Sequence, residues 1–406
     1  MNSPQPASNR PSLLLLVITY LAFISLGLPD SVLGIAWPAM RESLKLPLET
    51  VGLLTLTLTL FSAAASFLSG TLTKRFATGP IIIVSSLATG SALVAISAAP
   101  SFVFLLLAAV PLGLGAGSVD SGLNAYVAKH YSARHMNWLH SFWGGGATLG
   151  PIVMTAALGV VVGWRGGYLW IAGAQLSLAV LFLFTLPLWN RNERRVEAQS
   201  QTEEKHYGSL SAGSLAGAIS VVIYMLYAAA EVGAGLWANT VLIDSRHIAA
   251  PVAGLWVAAY FGSIMGGRLV VGFVVNRWGN RLLVTLGLTL ALVGAVLFAI
   301  PGVEDLPLLA LILLGLGFAP VYPCLMHETP RRFTVESGPV VIGRQVGGAY
   351  IGGAFLPGLI GWIMAHTTLE FLAPALILAI GGMLVLIARL NKLSAAPFAT
   401  IETKSH

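Results

Sequence analysis

The sequence predicts an all-α membrane protein of twelve transmembrane helices, arranged as two pseudo-symmetric bundles of six. Three observations predict it. The 406 residues are 56% hydrophobic and only 9% charged, with a mean hydropathy of +0.83, whereas a soluble domain is about one quarter charged. A soluble chain of this length could bury a large core but would still need charge over its surface, so composition places it in lipid. The apolar residues fall into twelve runs long enough to cross a bilayer, and parts of the first six recur in the last six.

A helix needs about 20 apolar residues to cross the hydrocarbon. The runs cover about 12–38, 50–72, 79–98, 102–127, 137–162, 166–188, 210–243, 251–275, 281–301, 306–327, 338–365 and 370–390. The first is too long for a signal-peptide core and lacks a small-residue cleavage site, so it reads as a retained span. A polar stretch rich in Arg, Glu, Gln, Ser and Lys separates the sixth run from the seventh and has the composition of a solvated linker. The expected organisation is a tail at 1–11, a bundle at 12–189, a linker at 190–209, a second bundle at 210–390 and a tail at 391–406.

The basic residues give an orientation. Of 22 Lys and Arg, Arg268 and Arg344 lie inside spans, and Arg41, Lys45, Arg165 and Arg246 fall on one side; the rest fall on the other, with both termini. That bias predicts cytoplasmic termini in a multi-pass protein of the cell (inner or plasma) membrane. It also explains the basic pI of about 9.5 as a topology signal, not a nucleic-acid footprint. One cysteine, Cys324, excludes an internal disulfide.

The halves repeat at one offset. Gly52-Leu53 returns as Gly254-Leu255, Leu112 to Gly115 returns as Leu314 to Gly317, and Gly70 and Arg75 return as Gly272 and Arg277, each 202 positions on. A parallel repeat of six helices about a midplane site is a transporter architecture.

The second copy of the loop after span 2, Gly272 to Arg281 with Asn276, Arg277 and Gly279, resembles the G-x-x-x-D-R-x-G-x-R signature of the major facilitator superfamily, with Asn276 in the acid's place. The first copy, Gly70 to Gly79, is degraded, with Lys74 and Ala77 at two signature positions. A narrower resemblance is to the fucose/glucose-galactose:proton symporter branch. It rests on Asp120 and Asn124 in span 4, on Asn137, His140, Phe142, Gly146 and Ala147 in span 5, on Ala230 to Gly233 ahead of Asn239 in span 7, and on Gly267-Arg268 in span 8. Trp143 departs from that branch, where the fucose permease has an asparagine associated with sugar contact, which puts fucose in doubt more than sugar. The resemblance implies the major facilitator fold and secondary active transport, with proton-coupled sugar symport (of a hexose or deoxyhexose-like solute) by alternating access as the leading reading. A proton-coupled exporter of drugs or other small molecules is the alternative, supported by Gly146-x-x-x-Gly150-Pro151, a partial antiporter motif.

A charge at a helix centre costs about 2.5–3.5 kcal/mol on insertion scales. Five charges lie inside spans: Asp30, Asp120, Glu231, Arg268 and Arg344. None falls on spans 3, 6, 9 or 12, which face lipid in the superfamily fold, so each is expected to meet a cavity or a partner. Asp120 and Asn124, four apart, share a helix face; a desolvated carboxyl beside an amide can exchange a proton near neutral pH and bind vicinal hydroxyls. A structural helix–helix hydrogen bond is the other reading. Asp30 follows Pro29, which should break span 1, and a break beside a cavity points to a binding site; the alternative is that Asp30 satisfies the freed amides. Glu231 has Tyr224 and Tyr227 on its face.

Proton coupling is therefore expected of Asp30, Asp120 and Glu231, and substrate contact of Asn124, Trp143, His140, Tyr227 and Tyr322. A gate holding one conformation is expected of Arg268, Asn276, Arg277, Glu328 and Arg344, with direct substrate binding the alternative for the two interior arginines. Trp37, Trp164, Trp189, Trp278 and Trp362 sit at span ends and read as an interfacial belt. No H-E-x-x-H, G-x-S-x-G or Cys/His ligand cluster occurs, so neither an enzyme, a metal nor a cofactor is expected. The expected partners are a small solute, protons and the bilayer, around a monomer.

Overall fold

A computed structural model describes residues 13–47, 50–202, 208–303 and 305–394. The expected tail at 1–11, residues 395–406 of the expected tail at 391–406, and linker residues 203–207 lie outside the described residues. The described chain is helical: α1 (Leu13–Asp30), α2 (Val32–Leu44), α3 (Thr50–Phe76), α4 (Thr78–Ala98), α5 (Phe102–His130), α6 (Ala133–Leu158), α7 (Gly163–Thr202), α8 (Leu215–Thr240), α9 (Ala250–Trp278), α10 (Asn280–Phe298), α11 (Leu306–Phe318), α12 (Val321–Arg332), α13 (Gly338–His366) and α14 (Leu372–Leu393). A π-helical turn, Val241–Ser245, extends α8.

These make twelve spans, because α1 with α2 and α11 with α12 are each one crossing interrupted midway. The first interruption is at Ser31, next to the predicted Pro29 break, and the second at Ala319–Pro320, where the proline has no N–H to give the helix. Eleven of the twelve are apolar enough to cross a bilayer on hydropathy alone. The exception is α6, whose first turns carry Arg134, His135, Asn137 and His140.

Many large apolar side chains are largely exposed, among them Leu13, Phe184, Leu255, Val270 and Leu378. Apolar exposure on that scale suits contact with lipid. Two expectations need correction. Helix α7 runs on through the first part of the expected linker to Thr202, since that polar stretch holds good helix formers. Trp278 and Trp362 are exposed, but Trp37, Trp164 and Trp189 are buried between helices; their position at span ends did not reveal which face they occupy.

The repeat is also a packing repeat. A Cβ on Gly113 would meet the Leu58 carbonyl, and one on Gly315 would meet the Tyr260 carbonyl; likewise Gly115 meets Ser85 and Thr89 where Gly317 meets Gly287 and Ala291. Each partner lies 202 positions from its counterpart, so α5 sits on α3 and α4 as α11 sits on α9 and α10. Only glycine permits such close helix approach.

The two sets of six meet through α13 with α3 and α5, α6 with α9, and α12 with α5 and α6. The named contacts gather toward one face, the near face, which carries the start of α1 and the turns after α3, α5, α9 and α12. There a Cβ on Gly70 would strike Val340 and one on Gly343 would strike Ser66. Toward the other face α2, α11 and the π-turn pack within their own half. The protein is thus closed at the near face.

Cys324, the single cysteine, is fully buried at this seam. Gly343→Ala should disfavour the closed form, since overpacking costs about 1–3 kcal/mol, or about tenfold and more in the equilibrium. Maleimide labelling of Cys324 in membranes should accelerate accordingly, and an unchanged rate would contradict the closed-seam description.

Candidate functional site

Four of the five interior charges, Asp30, Asp120, Glu231 and Arg268, gather at mid-depth, where the two interrupted spans and α5, α6, α8, α9 and α13 converge. Asp30 ends α1 and is exposed. It accepts a 3.0 Å hydrogen bond from the Trp143 indole Nε1. That geometry depends on close packing of α1 on α6: Gly27 lies under the Trp143 carbonyl, and Gly146 and Gly150 lie against the Ile24 and Leu28 carbonyls. The partial antiporter motif therefore has a packing use, seating the α6 indole over the α1 carboxylate.

Asp120, half-buried on α5, accepts 2.7 Å from Asn124 Nδ2 at one oxygen and 3.3 Å from the Tyr350 hydroxyl at the other. Tyr350 belongs to α13, so this hydrogen bond joins the two halves. Asn124 is wholly buried, and its Oδ1 lies 3.1 Å from His140 Nε2. The His140 ring meets Tyr322 edge-on at 4.9 Å, and Tyr322 meets Tyr224 at 4.8 Å and Tyr227 at 5.7 Å. A continuous polar and aromatic track thus runs from Asp120 to Tyr227.

The track ends on an ion pair. Arg268 Nη2 donates 3.1 Å to Glu231 Oε1 and 3.1 Å to the Tyr227 hydroxyl. The Tyr260 hydroxyl donates 2.8 Å to the Glu231 carbonyl, holding α8 and α9 together there. Neither Asp30 nor Asp120 has a Lys or Arg at ion-pair distance among the described residues.

Of the residues expected at the site, Asp30, Asp120, Asn124, Trp143, His140, Tyr322, Tyr227 and Glu231 are brought together, and Arg268 joins them. Asn124, Tyr227, His140 and Arg268 are all buried, so here they act through the half-buried Asp120, Tyr322 and Glu231. The expected gate partners differ. Arg268 lies beside Glu231 instead of Asn276 or Glu328, because α8 supplies a carboxylate at its own depth. Arg344 donates 2.8 Å to the Ala212 carbonyl, within its own half. Asn276 and Arg277 are exposed; it is Asn280 and Arg281, four residues on, that reach Glu328, at 3.2 and 2.7 Å.

The near-face seam uses groups that sequence reasoning did not single out. Arg134 Nε donates 3.2 Å to the Gly272 carbonyl and Trp138 Nε1 donates 3.4 Å to the Leu269 carbonyl. His327 Nε2 lies 2.9 Å from the Tyr131 carbonyl, and its Nδ1 lies 3.2 Å from Asn280. Tyr350 was missed too; its one signal was a tyrosine among the small residues of Gly347 to Gly353.

Solved structures that share the fold include three transporters. A variant of the E. coli fucose:proton symporter FucP superposes with a TM-score of 0.73 at 14% identity, covering 94% of this chain and 99% of that one. The proton:xylose symporter XylE gives 0.72 at 12%, covering 94% and 95%. The human organic anion transporter MFSD10 gives 0.71 at 15%, covering 95% and 100%. The family model described as Major Facilitator Superfamily matches residues 19–326 and again 220–403. The chain belongs to the major facilitator superfamily of transporters.

Proposed function

We propose that this transporter is a proton-coupled symporter of a neutral, hydroxyl-rich solute of hexose or deoxyhexose type, working by alternating access. The observation that carries the reading is the hydrogen-bonding of Asp120, held by Asn124 from its own helix and by Tyr350 from the opposite half. A charged carboxylate at this depth needs donors. With Asp120 charged, Tyr350 satisfies it and ties the halves together. With a proton on Asp120, that need falls and the Tyr350 hydroxyl is free for a solute hydroxyl. Proton and solute then compete for the same cross-half contact, which is what coupling requires: each must change the balance between conformations.

Glu231 is engaged by Arg268, so Asp30 and Asp120, without cationic partners, are assigned the proton. Trp143, half-buried above Asp30, offers a flat apolar face to a sugar ring, and His140 and Tyr322 line the next stretch. Asn124 and Tyr227 position Asp120 and Arg268. Orienting the near face to the cytoplasm, as the basic residues suggest, makes the described state open to the outside. The similar folds include fucose and xylose proton symporters. At such low identity they support the fold alone, and the solute class rests on the residues above.

Two outcomes test this reading. In proteoliposomes, Asp120→Asn should retain solute counterflow yet lose accumulation driven by an imposed pH gradient; full pH-driven accumulation in that variant would overturn the assignment. Asn124→Ala leaves Asp120 and His140 without their shared partner. A hydrogen bond to a charged group is worth about 1.5–3 kcal/mol, so apparent affinity should weaken by about tenfold or more, read as the KM of counterflow.

A further inference from the structure

The cavity's charge inventory is asymmetric. Asp30 and Asp120 face the open space with neutral donors alone: an indole, an amide and a phenol. The cation within the track, Arg268, is turned onto Glu231 and Tyr227. Its side chain is 7% exposed and that of Glu231 is 20% exposed, so the carboxylate is the more accessible member of the pair. Arg268 Nε is also buried without a hydrogen-bond partner among the described residues, which leaves the guanidinium with unused donor capacity. Charge-assisted bonds from a guanidinium are the usual means of holding a carboxylate ligand.

We propose that Glu231 is a specificity-determining residue: by holding Arg268 in an ion pair it withholds the one cation of the track, so the cavity selects neutral solutes and rejects those bearing a carboxylate. This rests on the symport reading above for the identity of the neutral solute, but not for the charge rule itself. A solute carboxylate entering the native cavity meets Asp30, Asp120 and the outer oxygen of Glu231, and finds no free cation. Removing the Glu231 charge leaves the same backbone with Arg268 unpaired and donating toward the space Glu231 occupied. Removing the Arg268 charge instead leaves Glu231 as a third uncompensated acid and favours a cationic solute. The two substitutions should therefore shift selectivity in opposite senses, which a general loosening of the site would not do.

The test measures ligand affinity by thermal shift on purified full-length protein. The probes are neutral hexoses and 6-deoxyhexoses, the uronates and amino sugars that share their rings, and acetate as a carboxylate with no ring. Wild type should be stabilised by a neutral sugar and neither by its uronate nor by acetate. Glu231→Gln should gain affinity for the uronate and acetate by about tenfold to a hundredfold, the range one charge-assisted hydrogen bond supplies. Arg268→Gln should gain for the amino sugar and not for the uronate. Equal response of wild type and Glu231→Gln to acetate and uronates, or parallel shifts in both variants, would overturn the proposal. Should Glu231→Gln fail to fold, the Arg268→Gln shift toward amino sugars decides it. If no sugar stabilises wild type while Glu231→Gln gains for acetate, the sugar reading fails and the charge rule stands.

Discussion

The constraint on which this molecule depends is that a charge at membrane depth must be given a partner. Hydrocarbon does not solvate it, and an unpaired carboxylate or guanidinium there is costly. The chain meets that demand in two different ways. Arg268 and Glu231 neutralise one another across α8 and α9, a fixed solution. Asp30 and Asp120 are held by neutral donors, a solution that can be exchanged for a proton or for a solute hydroxyl. Ion pairs give the site its permanent architecture, and the acids held by neutral donors give it something to change.

Small residues turn that chemistry into geometry. Helix α1 lies close enough to α6 for Trp143 to reach Asp30 because glycines at 27, 146 and 150 carry no Cβ. The same device at Gly70 and Gly343 lets α3 and α13 touch at the near face. Side chains without atoms to interdigitate also cost little to separate, so contacts of this kind suit surfaces that must part and rejoin.

Much of this was legible in the sequence, for identifiable reasons. Span count and fold class follow from hydropathy, which lipid enforces strictly. The repeat offset of 202 also located the equivalent packing glycines. Asp30, Asp120 and Glu231 stood out because an acid in an apolar run has few explanations. What could not be read was pairing. Arg268 lay on a helix neighbouring both a loop motif and Glu231, and one dimension does not say which it meets. Asn276 matched a signature, yet its side chain is exposed and Asn280, one turn on, turns inward to Glu328. Seam donors such as Trp138 and Arg134 bond to backbone carbonyls, which every residue has, so no partner residue type betrays them.

The distribution of ion pairs bears on how the protein can move. Arg246–Glu370, Arg268–Glu231, Arg281–Glu328 and Arg331–Glu328 all belong to the second half, and none of these four crosses between halves. The seam is closed instead by hydrogen bonds to backbone carbonyls and by glycine packing. Breaking a buried ion pair by separating its partners costs several kcal/mol, whereas an ordinary hydrogen bond that can be re-formed with water contributes about 0.5–1.5 kcal/mol. A rocking motion of one half against the other therefore leaves these four pairs unbroken and parts the hydrogen bonds and glycine contacts of the seam. The strong pairs travel as parts of a rigid body. Two cross-half bonds touch a charge: Arg134 to the Gly272 carbonyl at the near face, and Tyr350 to Asp120, which sits at the site where a proton or solute would act. Occupancy of that site therefore sets part of the cost of parting the halves, which is how a few side chains can govern the movement of two six-helix bodies.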